Sequence, residues 1–223
     1  MAATVASLRS LSMVAQDEGP DAGALPEIRT ARLCLRLARP GMEDAIAQFL
    51  GENFAGHFDR WFPPVGKGYF SAAFWAEKLR IAVEEFHMDR AVRFVLQLRD
   101  DGLGPPIAAP VIGTCNYTNV VRGPFQACTL GYQVALANQG QGLMSEGLRA
   151  ANAYMFGERR LHRIMANYRP ENYRSARLLQ RLGFRREGIA ADYLYIDGAW
   201  RDHVTTSLVN PDFDPAWIES ALR

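Results

Sequence analysis

The sequence predicts an α/β fold in which one mixed sheet carries helices on both faces. Three observations lead there. Short apolar runs bounded by turn residues come first, near residues 32–37, 91–98, 111–117 and 128–134, and read as strands. A strand–helix–strand–helix–strand alternation follows from residue 128 onward, which is the pattern of a mixed sheet. Near the end, Asp197-Gly198 sits between two further strand-like runs, a strong hairpin signal.

The chain has 223 residues, 48% of them hydrophobic, which suits one globular domain with a sizeable core and short tails. Residues 17–26 (DEGPDAGALP) are acidic and rich in Gly and Pro, so residues 1–26 read as a mobile tail, 27–212 as the domain and 213–223 as a C-terminal tail. The N-terminus lacks a continuous apolar h-region, and no apolar run approaches the roughly 20 residues that span a bilayer. A formal net charge of +1 offers no strong electrostatic footprint for nucleic acid or an anionic membrane. Cys34, Cys115 and Cys128 are widely spaced and odd in number, which argues against a disulfide framework and fits a reducing, cytoplasmic setting. His57, His87, His162 and His203 show no metal-ligand spacing, so no metal is expected. Oligomeric state, monomer or homodimer, is left open.

Each element has its own signal. Arg32–Leu37 alternates Leu with other residues, as a half-buried strand does, and Pro40-Gly41 ends it before a short helix through Phe49 and Leu50. Residues 53–70, with Trp61, Phe62, Pro63 and Pro64, read as an irregular aromatic loop. Ser71 is a good N-cap for a helix whose stripe is Trp75, Leu79, Ala82 and Phe86; that stripe is either plain core packing or, with the loop, one wall of a substrate groove. Strands follow at Ala91–Leu98, Val111–Tyr117 and Cys128–Val134, the first two separated by a turn at residues 100–106; Gly131 suggests a bulge or a close backbone approach. A helix from Leu143 to Phe156 presents Met144, Leu148, Ala151 and Met155, and Leu161–Tyr168 reads as a strand. Asn172 caps a last helix with Leu178, Leu179 and Leu182 inward and Gly183 as its stop; strands at about 192–196 and 200–208 close the domain.

The turn Gln139-Gly140-Gln141-Gly142-Leu143-Met144 carries the chemistry. Its glycines allow a tight turn and close approach to a ligand, and the helix start aims unpaired N–H groups and positive dipole at an anion such as a pyrophosphate. It lacks the Gly-Lys-Ser/Thr of a Walker A loop and the third glycine of the dinucleotide fingerprint. By itself such a turn equally well joins a strand to a helix with no ligand.

The second element is Asn172-Tyr173-Arg174-Ser175 followed by LLQRLGF (Leu178–Phe184). With these two elements in order, the chain resembles the GNAT superfamily of acetyl-CoA-dependent N-acyltransferases over roughly residues 30–212. It is most similar to the RimJ branch of the ribosomal-protein-alanine N-acetyltransferases, through NVVRG (Asn119–Gly123), LGY (Leu130–Tyr132), QGLM (Gln141–Met144), HRIMANY (His162–Tyr168) and DYLYIDGAWRDHV (Asp192–Val204). Met144 departs from the family's small residue, which matters little where backbone does the binding.

The resemblance implies a GNAT fold, its mixed central sheet mostly antiparallel, flanked by helices and splayed at the acyl-CoA site, and acetyl-CoA as cosubstrate. It implies that strand Leu130–Ala135 pairs with pantetheine, Val134 and Ala135 lying nearest, and that one N–H polarises the thioester carbonyl. It gives Asn172 the pantetheine arm besides its own helix cap, and Ser175 the role of proton donor to the departing thiolate, where the plain alternative is an ordinary first-turn serine. Relatives of another branch carry a glutamate as base where this chain has Leu194; Asp192, two residues earlier, is nominated instead on the same-face rule, with Glu187 and Glu171 behind it. An α-amine is neutral to roughly a tenth at pH 7, a lysine only to about one part in a few thousand, so an N-terminal acceptor tolerates a weak or water-relayed base. The implied acceptor is the N-terminus of a protein or peptide, a ribosomal protein starting with Ala or Ser. A small-amine or aminoglycoside acetyltransferase and a non-catalytic acyl-CoA-binding regulator remain as alternatives.

Overall fold

The computed structural model describes residues 25–99 and 105–221. Most of the expected N-terminal tail (1–24) and most of the expected turn (100–104) lie outside the described residues. The eight strands are β1 (Glu27–Arg29), β2 (Leu33–Leu37), β3 (Val92–Leu98), β4 (Gly113–Val121), β5 (Ala127–Val134), β6 (Arg163–Tyr168), β7 (Arg185–Ile196) and β8 (Ala199–Val209). The helices are α1 (Glu43–Asn53), α2 (Ala72–His87), α3 (Leu143–Gly157), α4 (Tyr173–Arg181) and α5 (Ala216–Ala221). The strands form one sheet in the order β1-β2-β3-β4-β5-β6-β8-β7, antiparallel throughout except where β5 meets β6.

The main core lies between the sheet and α3 and α4, gathering Leu33, Phe94, Tyr117, Leu130, Leu148, Met155 and Leu179. A second core packs α1 and the start of α2 on the other face, around Phe49, Leu50, Phe58, Leu79 and Val95. The α3 stripe is buried as the sequence implies, and Gly147 lets the helix lie close: a Cβ there would stand 2.8 Å from Leu96 Cδ2. Ser71 Oγ accepts the Phe74 N–H to cap α2, and Leu79, Ala82 and Phe86 are buried. Trp75 is only half-buried, its indole N–H donating to Tyr69 O at 2.8 Å, so the upper part of the stripe belongs to the aromatic loop. Gly183 (φ 89°) ends α4 with its N–H on Gln180 O and the Phe184 N–H on Leu179 O, the paired bonds of a Schellman stop.

Several elements differ from expectation. β2 is buried at every position, because Arg36 points inward and is satisfied by Glu27 (2.5 Å), Gln97 (3.0 Å) and Pro105 O (2.6 Å). β4 runs on to Val121 past a register shift at Asn119 (φ 53°), which masks the alternation there. Gly131 makes no bulge: it pairs in register with Asn116, and a Cβ there would meet nothing within 4 Å. The segment expected as a C-terminal tail contains α5, with Phe213 against His162 (5.2 Å) and Arg160 over Trp217 (4.8 Å). Among the described residues no helix is long and apolar enough to cross a membrane.

Candidate active site

The site begins where the sheet divides. β5 and β6 share only three register pairs, Ala127–Arg163, Cys128–Ile164 and Thr129–Met165. Beyond them β5 continues to Val134 against β4 alone, and β6 to Tyr168 against β8 alone. Backbone polar groups of successive strand residues point to opposite sides. The Ala135 N–H is committed to Ile112 O at 2.8 Å, so the Val134 groups face the gap. Of the two residues expected nearest the cofactor, Val134 therefore turns its backbone N–H and carbonyl into the gap, and the Ala135 N–H does not. The Val134 carbonyl is met by His57 Nε2 at 3.1 Å, from the aromatic loop.

The turn Gln139–Met144 closes the end of the gap. Gly140 (φ 76°) and Gly142 (φ 77°) take the left-handed conformation that favours glycine. Gly142 is the residue before α3 and supplies no side-chain cap, so the first N–H groups of the helix stay open toward the turn. Leu143 and Met144 are buried in the core, which anchors the helix start and leaves recognition to backbone. Arg32 frames the turn, donating to Gln141 O at 2.9 Å and to Glu146 at 2.7 Å, while Glu146 also accepts from Thr30 Oγ1 at 2.6 Å. Burial opposes ionisation of Glu146, but the hydrogen bonds from Thr30 and Arg32 prevail and hold its carboxyl below the usual range. Gln139 turns its side chain back, its amide N 3.2 Å from His57 Nε2 and its Oε1 accepting from Arg174.

Across the gap, Asn172 Oδ1 accepts the Ser175 N–H at 3.1 Å, capping α4. Ser175 Oγ is 2.6 Å from Tyr132 Oη. Burial pushes that phenol up to about 12. Tyr132 was not singled out by the sequence reading. The signal was present in its place two residues before Val134, on the same strand face.

Asp192 stands apart from this group. Residues 191–193 oppose the single residue Asp202, with Asp192 itself at φ 48° and its N–H on Asp202 Oδ1 at 2.9 Å. Such a bulge breaks the alternation, so the same-face argument linking Asp192 to Leu194 fails. The Asp192 carboxylate is exposed and makes no hydrogen bond or ion pair among the described residues. Glu187 is bound by Arg163 and by Ser207 (2.8 Å), and Glu171 by Arg169. Both carboxylates are already engaged. The β7–β8 hairpin extends past Tyr168, the last residue of β6, and Tyr193 Oη accepts from Asn167 Nδ2 at 3.0 Å. Opposite it, the aromatic loop is tied to the turn after β6, with Arg169 donating to Arg60 O (2.6 Å) and lying over Trp61 (5.5 Å). Among the described residues no group of His, Cys, Asp and Glu could hold a metal.

The family model of the acetyltransferase (GNAT) domain matches residues 32–185. The chain belongs to the GNAT acetyltransferase family. That match takes in Val134, the turn Gln139–Met144, Asn172 and Ser175, and ends before Asp192. Among curated relatives of this GNAT chain, the ribosomal protein uS5-alanine N-acetyltransferase of Escherichia coli is 43% identical over 194 residues, 86% of this chain and 95% of that one. The ribosomal-protein-S5-alanine acetyltransferase structure from Vibrio fischeri superposes with a TM-score of 0.78 at 34% identity, covering 85% of this chain and all (100%) of that one. RimJ of Mycobacterium smegmatis, solved with a CoA disulfide, gives 0.72 at 28% identity, covering 89% and 94%. The α/β architecture of this GNAT chain, a mixed sheet flanked by helices, is thus shared with solved N-acetyltransferases.

Proposed function

We propose that this GNAT protein transfers the acetyl group of acetyl-CoA to the N-terminal α-amine of a protein or peptide beginning with Ala or Ser, a ribosomal protein in particular. The observation that carries the acceptor is the 43% identity to the uS5-alanine enzyme across 86% of the chain, which extends beyond the cofactor turn. Cofactor binding rests on geometry. A carbonyl and N–H at Val134 face a gap with no opposing strand, and the gap ends at an uncapped helix start framed by Gly140 and Gly142. An extended amide-bearing arm satisfies the first, and a pyrophosphate the second.

The amine attacks the thioester carbonyl, the C–S bond breaks, and the electron pair goes to sulfur. Ser175, at the start of α4, is the donor to that sulfur. The base we assign is Asp192 acting through water, since its carboxylate is exposed on the hairpin that overhangs the end of β6. A relay suffices because about a tenth of an α-amine is already neutral at pH 7. The test is a set of peptides differing only in residue one, each carrying an internal lysine, incubated with acetyl-CoA and read by mass spectrometry. Acetylation at the terminus of Ala- and Ser-initiated peptides is expected; label found on lysine or only on free small amines would overturn the assignment.

A further inference from the structure

We propose that Tyr132 is a positioning residue for the transfer step, holding the Ser175 hydroxyl so that its proton is directed at the departing sulfur. The inference rests on the reading of Ser175 as donor to that sulfur.

The hydroxyl pair joins the two sides of the divided sheet. Tyr132 lies on β5, on the face it shares with Leu130 and Val134, and packs against the main core. Ser175 lies in the first turn of α4, its N–H held by Asn172. Their oxygens are 2.6 Å apart. Either hydroxyl could donate, and the surroundings decide between them. Among the described residues the phenol makes no other hydrogen bond, so its proton has Ser175 Oγ as its acceptor. A buried donor left without an acceptor is costly, whereas a half-buried serine hydroxyl at the cleft can find water or ligand. The phenol therefore donates to Ser175, and the Ser175 proton remains free to point into the gap.

The same comparison excludes a larger role for Tyr132. Its phenol, pushed up to about 12, is a far weaker acid than an ordinary thiol at about 8.5. It does not surrender its proton to a thiolate. It polarises and orients the serine, and a chain of two hydrogen bonds then meets the charge that grows on sulfur as the C–S bond breaks. The thiolate, stabilised by the Ser175 hydrogen bond, acquires its proton from solvent on release, so no proton need pass along the chain.

The test is a double-mutant cycle with acetyl-CoA and an alanine-initiated peptide, with thiol release followed by a chromogenic disulfide. Tyr132→Phe should lower kcat about tenfold, with acetyl-CoA affinity by calorimetry and the unfolding midpoint nearly unchanged. In a Ser175→Ala background the same change should cost nothing further, because the group it positions is gone. Ser175→Thr keeps a hydroxyl in place and should restore sensitivity to Tyr132→Phe. An equal loss in both backgrounds would mean that Tyr132 acts by packing, and would overturn the proposal. So would a shifted alkaline limb of the kcat profile in Tyr132→Phe, which would make the phenol a proton donor. A Ser175→Ala variant at wild-type rate would remove the Ser175 reading itself, an outcome distinct from both.

Discussion

The His57 imidazole sits on the carbonyl of Val134, Nε2 to O 3.1 Å, at the backbone position that faces the gap between β5 and β6. The same ring nitrogen is 3.2 Å from the side-chain amide of Gln139, whose oxygen is held by Arg174. One nitrogen cannot both donate to a carbonyl and accept from an amide N–H. An arm entering the gap as a strand would take the Val134 carbonyl and release His57. Replacing His57 by Ala removes the competitor, so acetyl-CoA should bind tighter by about three- to tenfold, the worth of one modest hydrogen bond. Calorimetry showing equal or weaker affinity would place His57 among the supports of the cofactor.

Gly142 is at φ 77°, and a Cβ there would lie 3.6 Å from an Arg32 guanidinium nitrogen. A β-branched side chain is strained in that backbone conformation by about 1–2 kcal/mol. Gly142→Val should lose acetyl-CoA affinity by tenfold or more and also shift the denaturant midpoint downward. A folded variant with wild-type affinity would show that the turn is not where the anion binds.

The Thr30–Arg32–Glu146 frame makes stability depend on acid. Hydrogen bonds hold the folded Glu146 carboxyl below its ordinary value, against the effect of burial. A depressed carboxylate stabilises the fold above its unfolded pKa, about 4.3, and loses that contribution as pH falls through the folded value. Denaturant titrations of Glu146→Gln against wild type should therefore differ near neutrality and converge in acid. A constant difference at all pH values would mean that packing, and not the charge, is what the substitution removes.

Asp192→Asn tests the relayed base. The variant should leave acetyl-CoA affinity unchanged and depress kcat/KM for an alanine-initiated peptide chiefly on the acidic side of the profile, by roughly tenfold or less because the acceptor is partly neutral already. Indistinguishable profiles would withdraw Asp192 from the reaction.

How much of this could be read before folding depends on whether the signal is local. Gly140, Gly142 and Asn172 were legible, because a left-handed turn and a helix cap each constrain one residue type at one position. The strand order around the hairpin was legible through Asp197-Gly198, both at positive φ. Tyr132 was not, since its worth depends on α4 arriving 43 positions later in sequence to place a hydroxyl against it. Arg36 looked like the exposed half of an alternating strand, and only Glu27, Gln97 and the Pro105 carbonyl explain why it is inside. The same-face argument for Asp192 failed for a related reason: a bulge is a relation between two strands, and one strand's sequence does not display it.

Among the described residues, β5 and β6 join the first five strands to the last three through three rungs of parallel ladder. The sheet is therefore two blocks sharing a narrow seam, and a ligand lying along Val134 would act as a missing strand that lengthens it. Such a molecule gains more than occupancy from its cosubstrate. At a hundredfold excess over its dissociation constant, a bound ligand adds about 2.7 kcal/mol to the folded state, enough to change how often the seam opens to a protease. With a ligand in that place, resistance to proteolysis becomes a readout of how fully the gap is occupied.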